Sequence, residues 1–348
     1  MKDNKIVVKV SAGTRRIAEI IKRQSPKRQG IWKQCLFVFT NKCIECDYWV
    51  VLHGESLKTV ETAVCDPENI IYVSMEPTED VGFVQRGFHR QFPTIIMTDP
   101  KIESKNIIRE NLHTWWVGVE VSMGKRGHQF RSIVQDYDSF KASLNNKERV
   151  NKISVIISDK DRLDGHRTRR EFVEFIKESK IGDRVEVFGG KTAPVGDKLD
   201  VISNYKYHLV IENSILNGYW SEKLADAYLG FSYPIYYGAP DVQRFFPEGA
   251  MKQIDLKNFS QSLNDIESVI KEGAFDKHRD EIMRARDLIL DEYNVLNRLE
   301  GLCCRKAEIK IKCKLYPAFW FRQKAPKQYM KYGVNLFKRW CSDEFGLY

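Results

Sequence analysis

Between Tyr205 and Glu248 the chain reads YKYHLVIENSILNGYWSEKLADAYLGFSYPIYYGAPDVQRFFPE, and its polar residues fall where a strand–helix unit presents chemistry. An apolar run over 207–211 predicts a strand, with Glu212, Asn213 and Ser214 at its carboxyl end. Asn217-Gly218 makes a loop. Ser221 then precedes Glu222 and Lys223 as an N-cap precedes the first turn of a helix over 222–229. Backbone amides at a helix start, with an ammonium beside them, suit a pyrophosphate. The next strand, over 234–237, ends in Gly238-Ala239-Pro240, a tight loop that a ligand can approach closely. These features fit a nucleotide-diphosphate site. They also fit an ordinary βαβ unit whose serine cap and Glu-Lys pair are solvated.

The elements that must position these groups are legible as short apolar runs alternating with helix-like segments. Strands are predicted over 6–10, 36–39, 48–52, 70–73 and 94–97, and again over 153–157, 184–188, 207–211 and 234–237. Most are nearly continuous in Val, Ile, Leu and aromatics, as strands covered on both faces should be. A helix over 168–179 places Phe172, Phe175 and Ile176 on one stripe, and helices over 222–229 and 263–270 also fit. Such alternation implies an α/β fold with parallel sheets. A polar stretch over 141–152 interrupts the pattern and predicts a boundary: an N-terminal domain over 1–150, a C-terminal domain over 151–300, and a tail over 301–348. Two such lobes would face a cleft, with ligands at the carboxyl ends of strands.

The string IEN…GYWSEKLADAYLGFSYPIYYGAPDV closely resembles the signature of the α-1,3/1,4-fucosyltransferases, glycosyltransferase family 10, which show FEN…GYVTEK, a helix, and IPIYWGxP. The match runs over about forty residues at fixed spacings. It departs at Ile211 for Phe, Ser221 for Thr and Tyr237 for Trp, and the N-terminal half resembles the family only in patches. The resemblance implies two Rossmann-like lobes in the GT-B arrangement, GDP-fucose as donor and inversion at the anomeric carbon. It implies a donor held mostly by the C-terminal lobe and an oligosaccharide acceptor held mostly against the N-terminal lobe.

The resemblance also carries roles to particular residues. Glu222 and Lys223 match the family's Glu-Lys at the donor, and Asn213 and Tyr219 belong to the same donor-binding signature. An arginine on the first helix of the C-terminal lobe binds the phosphates. Here that helix reads HRTRREF, and spacing to the aromatic favours Arg169, with Arg167 and Arg170 as alternatives. A base must take the acceptor's proton as the donor carbon gains oxocarbenium character, and cations or dipoles must stabilise the departing GDP. Glu76, after the strand over 70–73 and before Pro77, matches the family's proposed base, although Met75 replaces the usual Gly. The bland reading of Glu76 is an exposed loop acid beside Glu79 and Asp80.

Other signals are weaker. Asp136-Tyr137-Asp138 and Asp159-Lys160-Asp161 fit a DxD pattern that elsewhere carries a divalent cation, but three-residue patterns arise by chance. Cys43-Ile44-Glu45-Cys46 has no second ligand pair at zinc spacing, and the eight cysteines are irregularly spaced, as in a reduced protein. Because Lys and Arg can neutralise the pyrophosphate, no metal and no other cofactor is expected. Trp115-Trp116 fits either a buried pair or a platform for a sugar ring, and His53 could face an acceptor.

Charge narrows the partners. The 348 residues carry a formal net charge of +9, yet residues 301–348 hold 11 basic and 3 acidic residues, leaving 45 and 44 over 1–300. A neutral body argues against nucleic acid as a partner. The tail interleaves its cations with Phe319, Trp320, Phe321, Tyr329, Tyr332, Phe337 and Trp340, as a segment on an anionic membrane surface would. A packed extension is the other reading, and Pro317 and Pro326 forbid one continuous helix. The charged start MKDNKIVVKV and the lack of long apolar runs predict a cytoplasmic bacterial enzyme, peripheral on the inner face of the plasma membrane, acting on a surface glycan such as lipopolysaccharide or capsule. The rivals are the same fold with another GDP-deoxysugar, and a catalytically silent glycan- or membrane-binding protein.

Overall fold

The computed structural model describes residues 5–53, 57–77, 86–102, 104, 106–124, 127–143, 147–157, 164–190 and 193–323. Runs of Val, Ile and aromatics leave neither face suited to water, so they form the inner strands of two mostly parallel sheets. The first sheet contains β1 (Ile6–Ser11), β2 (Cys35–Phe39), β3 (Tyr48–Leu52), β4 (Ile70–Val73), β5 (Thr94–Ile96) and β6 (Ile107–Ile108), in the order β2-β1-β3-β4-β5-β6. Helix α1 (Arg15–Lys22) follows β1. Every residue of β3 and β4 is buried.

The second sheet contains β7 (Val150–Ile156), β8 (Val185–Phe188), β9 (Tyr205–Ile211), β10 (Tyr233–Tyr237) and β11 (Lys252–Gln253), ordered β8-β7-β9-β10-β11 with every pair parallel. Its helices include α2 (Asp164–Lys177), α3 (Lys198–Ile202), α4 (Glu222–Leu229) and α5 (Phe259–Lys271). Strand order reverses at the first strand of each sheet. In such sheets the point of reversal, here between β7 and β9, opens a crevice at the strands' carboxyl ends.

By contact density the chain divides into one unit over 1–15, 37–109 and 305–348 and another over 16–36 and 110–304. This division differs from cuts at 150 and 300, for two physical reasons. Arg23 is fully buried and donates Nη2 to the Trp115 carbonyl and Nη1 to the Gln135 carbonyl, both at 2.7 Å. That ties the first helical segment and the residues before 150 into the second unit. An antiparallel hairpin, Val119–Gly124 with Gly127–Ile133, joins it through the Val121 amide on the Gly196 carbonyl at 2.8 Å.

The tail is also partly built in. Ile311–Leu315 pairs antiparallel with Glu61–Cys65, burying Cys313 and Leu315 while Lys312 and Lys314 stay exposed. Alternation with period two is what a half-buried strand requires. Tyr329, Tyr332, Phe337 and Trp340 lie outside the described residues. No helix among the described residues is long and apolar enough to cross a membrane.

Candidate functional site

A cavity of about 280 Å³ opens in the second unit at the carboxyl ends of β7, β8 and β9. That is near the lower end of the ~300–1,000 Å³ usual for ligand pockets. Its wall includes Ile157, after β7, and Gly189, after β8. Gly189 adopts φ +95°, and a Cβ there would stand 2.1 Å from the Ile157 carbonyl oxygen, so only glycine lets these two strand ends meet.

Helix α2 supplies one cation. Arg169, Phe172, Val173 and Ile176 follow helical spacing i, i+3, i+4, i+7 and are all buried. Each apolar member contributes about 1.5–3 kcal/mol by leaving water, and the stripe they define carries Arg169 inward onto the cavity wall. Arg167 is exposed and Arg170 half-buried. Arg169 Nη1 donates to Asn213 Oδ1 at 3.4 Å. Burial lowers the Arg169 pKa, and the Glu212 carboxylate opposes that shift.

Helix α4 supplies the other groups. Ser221 caps it, its Oγ accepting from the Lys223 amide at 3.3 Å. The Glu212 carboxylate, 1% exposed at the end of β9, accepts from the Ser221 amide at 2.8 Å and the Ser221 hydroxyl at 2.7 Å. It also takes the Lys223 ammonium at 3.1 Å. A buried carboxylate thus fastens the strand end to the helix start and aims Lys223 across the gap. Lys223 Nζ lies 3.5 Å from Glu222. One turn on, Asp226 Oδ2 accepts from Lys198 Nζ at 2.8 Å, while Oδ1 accepts from the Trp116 and Val117 amides at 2.7 and 3.1 Å.

The electrostatics favour an anion. The cavity wall holds four cationic side chains, Arg16, Arg169, Lys198 and Lys223, against two carboxylates, Glu222 and Asp226. Burial would raise the Glu222 carboxyl, but the Lys223 and Lys198 ammonium groups outweigh it and hold its pKa at about 2. Burial would lower Lys223, but Glu212 and Glu222 hold it above its ordinary value. His208, on the floor, is pushed down to about 3 by burial and stays neutral.

The model of glycosyltransferase family 10 (fucosyltransferase) C-term matches residues 146–278, which contain β7 to β11, helices α2 to α5 and all of the groups above except Arg16, Trp116 and the Val117 amide. This segment belongs to glycosyltransferase family 10. Within the chain, 71 residues are 38% identical to an alpha-(1,3)-fucosyltransferase, FucT, of Helicobacter pylori, covering 20% of this chain and 15% of that protein. The chain thus matches only a small part of that relative's length. Among solved structures, an alpha1,3-fucosyltransferase with GDP-fucose is similar at TM-score 0.48 and 14% identity, over 88% of this chain and 93% of that one. A glycosyltransferase from Rickettsia africae is similar at TM-score 0.46 and 8% identity, over 86% and 98%.

The family 10 segment brings Arg169, Glu222 and Lys223 together on the cavity wall, with Asn213 behind it, off the lining but bonded to Arg169. Tyr219 is buried at 5% exposure beside Trp220 and is not among the residues lining the cavity. Glu76 lies in the other unit, exposed just after β4, where the Ser74 hydroxyl donates to its backbone carbonyl at 3.3 Å. Of the DxD pairs, Asp136 caps the helix Tyr137–Ala142 and accepts from Arg28 Nε at 2.6 Å, which commits it to structure. Asp159-Lys160-Asp161 lies outside the described residues. Trp115 is buried against Phe140, whereas Trp116 is half-buried and lines the cavity.

Sequence reasoning missed Arg16, Lys198 and Asp226 as cavity residues, and offered Trp116 only as one reading of a tryptophan pair, a sugar platform or a buried contact. Of the three missed, Asp226 alone carried a signal: at i+4 from Glu222 it shares that residue's helix face. Arg16 and Lys198 come from elements distant in sequence, which no local pattern links to α4.

Proposed function

We propose that the chain is an inverting glycosyltransferase that moves fucose from GDP-fucose to a hydroxyl of an oligosaccharide acceptor. The carrying observation is that Arg169 and Lys223 line one cavity at the switch point of the family 10 segment. Arg169 and Lys223 neutralise the diphosphate, Glu222 contacts the ribose or the sugar, Asn213 shapes the pocket by holding Arg169, and Tyr219 belongs to the same donor-binding set. In the reaction the bond from the sugar's anomeric carbon to the β-phosphate oxygen breaks as a bond forms from the acceptor oxygen on the opposite face. The acceptor's proton passes to the Glu76 carboxylate, and the electron pair leaves on GDP. These cations supply the charge stabilisation the leaving group needs, so this reading requires no metal. The acceptor is a surface glycan such as lipopolysaccharide or capsule, reached from the cytoplasmic face of the membrane. The exposed Ile311, Phe319 and Trp320, with Lys312 and Lys314 beside them in sequence, support an anionic membrane contact by 301–348.

The test is transfer from a donor panel of GDP-fucose, GDP-mannose and UDP-sugars onto fragments of such glycans, with Glu76→Gln alongside. Transfer from GDP-fucose is expected, falling by about 10²–10⁴-fold in the variant while GDP affinity stays within about twofold. Retained turnover in Glu76→Gln would exclude it as the base.

A further inference from the structure

The cavity wall contains a cation that the family 10 signature does not include. Arg16, in the first turn of α1, lines the cavity together with Arg169, Glu222 and Lys223. Its guanidinium carbon lies 5.1 Å from the centroid of Trp116 and 5.9 Å from that of Phe130, so two rings hold it by cation–π attraction. Trp116 is itself fixed, because its backbone amide donates to the buried Asp226 carboxylate on α4. The platform under Arg16 is therefore anchored to the same helix that presents Glu222 and Lys223.

The hydrogen-bonding of Arg16 is incomplete. Its Nε is shielded from solvent and has no hydrogen-bond partner. Among the described residues, every other charged group on the wall but Arg169 is tied to a carboxylate or an ammonium: Lys223 to Glu212 and Glu222, Lys198 to Asp226. Among the described residues Arg169 is held only by the amide oxygen of Asn213, and its own Nε is also unpartnered. Two guanidinium groups thus line one cavity, each with a buried N–H and, among the described residues, no carboxylate bonded to it. A shielded N–H donor is costly until an acceptor arrives. A guanidinium's fixed fork suits phosphoryl oxygens, two at a time.

We propose that Arg16, stacked on Trp116, is a second diphosphate-binding arginine of the site, which grips phosphoryl oxygens of a nucleoside diphosphate together with Arg169. The inference rests on the reading of this cavity as a nucleotide-sugar site and adds a residue from outside the family 10 segment. It means that donor affinity depends on an element near the amino terminus as well as on residues 146–278. Arg16 is a donor-binding residue in this account, and Asp226 a positioning residue that acts through Trp116.

The test is calorimetric titration of the full chain and its Arg16→Gln and Arg16→Lys variants with GDP, GMP and guanosine, with thermal melts to check folding. Wild type is expected to bind GDP more tightly than GMP. Arg16→Gln should weaken GDP binding by about 10–100-fold, the range for losing a hydrogen-bonded charge, and leave guanosine binding within about threefold. Arg16→Lys, which keeps the charge without the fork, should fall between. Equal weakening for all three ligands would reduce Arg16 to a structural role and overturn the proposal, as would unchanged GDP affinity in folded Arg16→Gln. Wild type that binds no nucleoside diphosphate would overturn both this inference and the donor reading beneath it. GDP binding by wild type that is indifferent to Arg16 would overturn this inference alone.

Discussion

Lys223 Nζ stands 3.1 Å from Glu212 Oε2, and through that contact the end of strand β9 and the start of helix α4 hold one cation over the cavity. The carboxylate is completely buried, whereas the lysine side chain is 23% exposed and lines the cavity. This geometry lets the lysine serve the fold and a ligand together. Lys223→Ala is therefore expected to weaken GDP binding by about 10–100-fold and to cost about 1–3 kcal/mol of stability, since it leaves Glu212 short of a donor. Calorimetry and urea melts of the same variant read the two effects separately. Unchanged GDP affinity would remove Lys223 from the phosphate role.

Glu212 itself should be the more damaging position for folding. It accepts from the Ser221 amide, the Ser221 hydroxyl and Lys223. Glu212→Ala strips the capping serine's amide and hydroxyl of their acceptor and leaves Lys223 with Glu222 as its remaining carboxylate, and a loss of about 3–5 kcal/mol is expected, as for other broken buried pairs. Glu212→Gln keeps an acceptor oxygen and should lose less. Chemical denaturation of both variants checks the order, and equal stability of Glu212→Ala and wild type would contradict it.

Acid should destabilise the second unit through its buried histidines, beginning as pH falls below 6.5. Burial holds His113 at about 4 and His208 at about 3, against 6.5 when unfolded. Both are protonated more readily in the unfolded chain, so their contribution is complete above pH 6.5 and declines as pH falls toward 4 and 3. Each adds a slope of up to about 1.4 kcal/mol per pH unit inside its window. His208→Gln, in which the amide can still meet the Ser154 hydroxyl that lies 2.8 Å from Nδ1, should flatten the curve by one histidine's worth. Glu222 adds to the acid loss at lower pH. Its folded value of about 2 lies below the ordinary 4.5, so its contribution is present above 4.5 and lost as pH falls through 2. Urea melts from pH 7 to 4 measure the histidine part, and a flat wild-type profile would refute it.

Gly189 is the backbone position on which the cavity wall depends most visibly. At φ +95° with the Ile157 carbonyl 2.1 Å from a would-be Cβ, Gly189→Ala combines a strained conformation with a steric clash. The strain alone is worth about 1–3 kcal/mol, and the strand ends of β7 and β8 must part to relieve the clash. A lower melting temperature together with weaker GDP binding is expected. Full stability in that variant would mean the turn is formed some other way.

Much of this site could be read before any coordinates. The strand, the capping serine and the Glu-Lys pair lie within a dozen residues of each other, so local spacing determines their geometry. The register of Arg169 with Phe172 and Ile176, three and seven residues on, favours it in the sequence, while Arg167 and Arg170 remain alternatives until the helix's buried face is known. What could not be read depends on contacts far apart in sequence. Arg16 reaches the cavity because Arg23, seven residues later, is buried on the Trp115 and Gln135 carbonyls. The pairing of 311–315 with 61–65 joins segments some 250 residues apart, and its lysine-rich strand reads equally as a membrane-surface segment or a packed extension until the partner strand is known. The polar stretch over 141–152 looked like a boundary, yet it leads into β7 inside one unit, because polarity marks a surface loop wherever it falls.

The central claim is that the cavity at the ends of β7, β8 and β9 takes the diphosphate of a guanine nucleotide. Calorimetric titration of the full chain with GDP, repeated on Arg169→Gln, tests it most directly. The account predicts saturable one-to-one binding by wild type and about 10–100-fold weaker binding by the variant. No heat at millimolar GDP, or equal affinity in a folded variant, would contradict it.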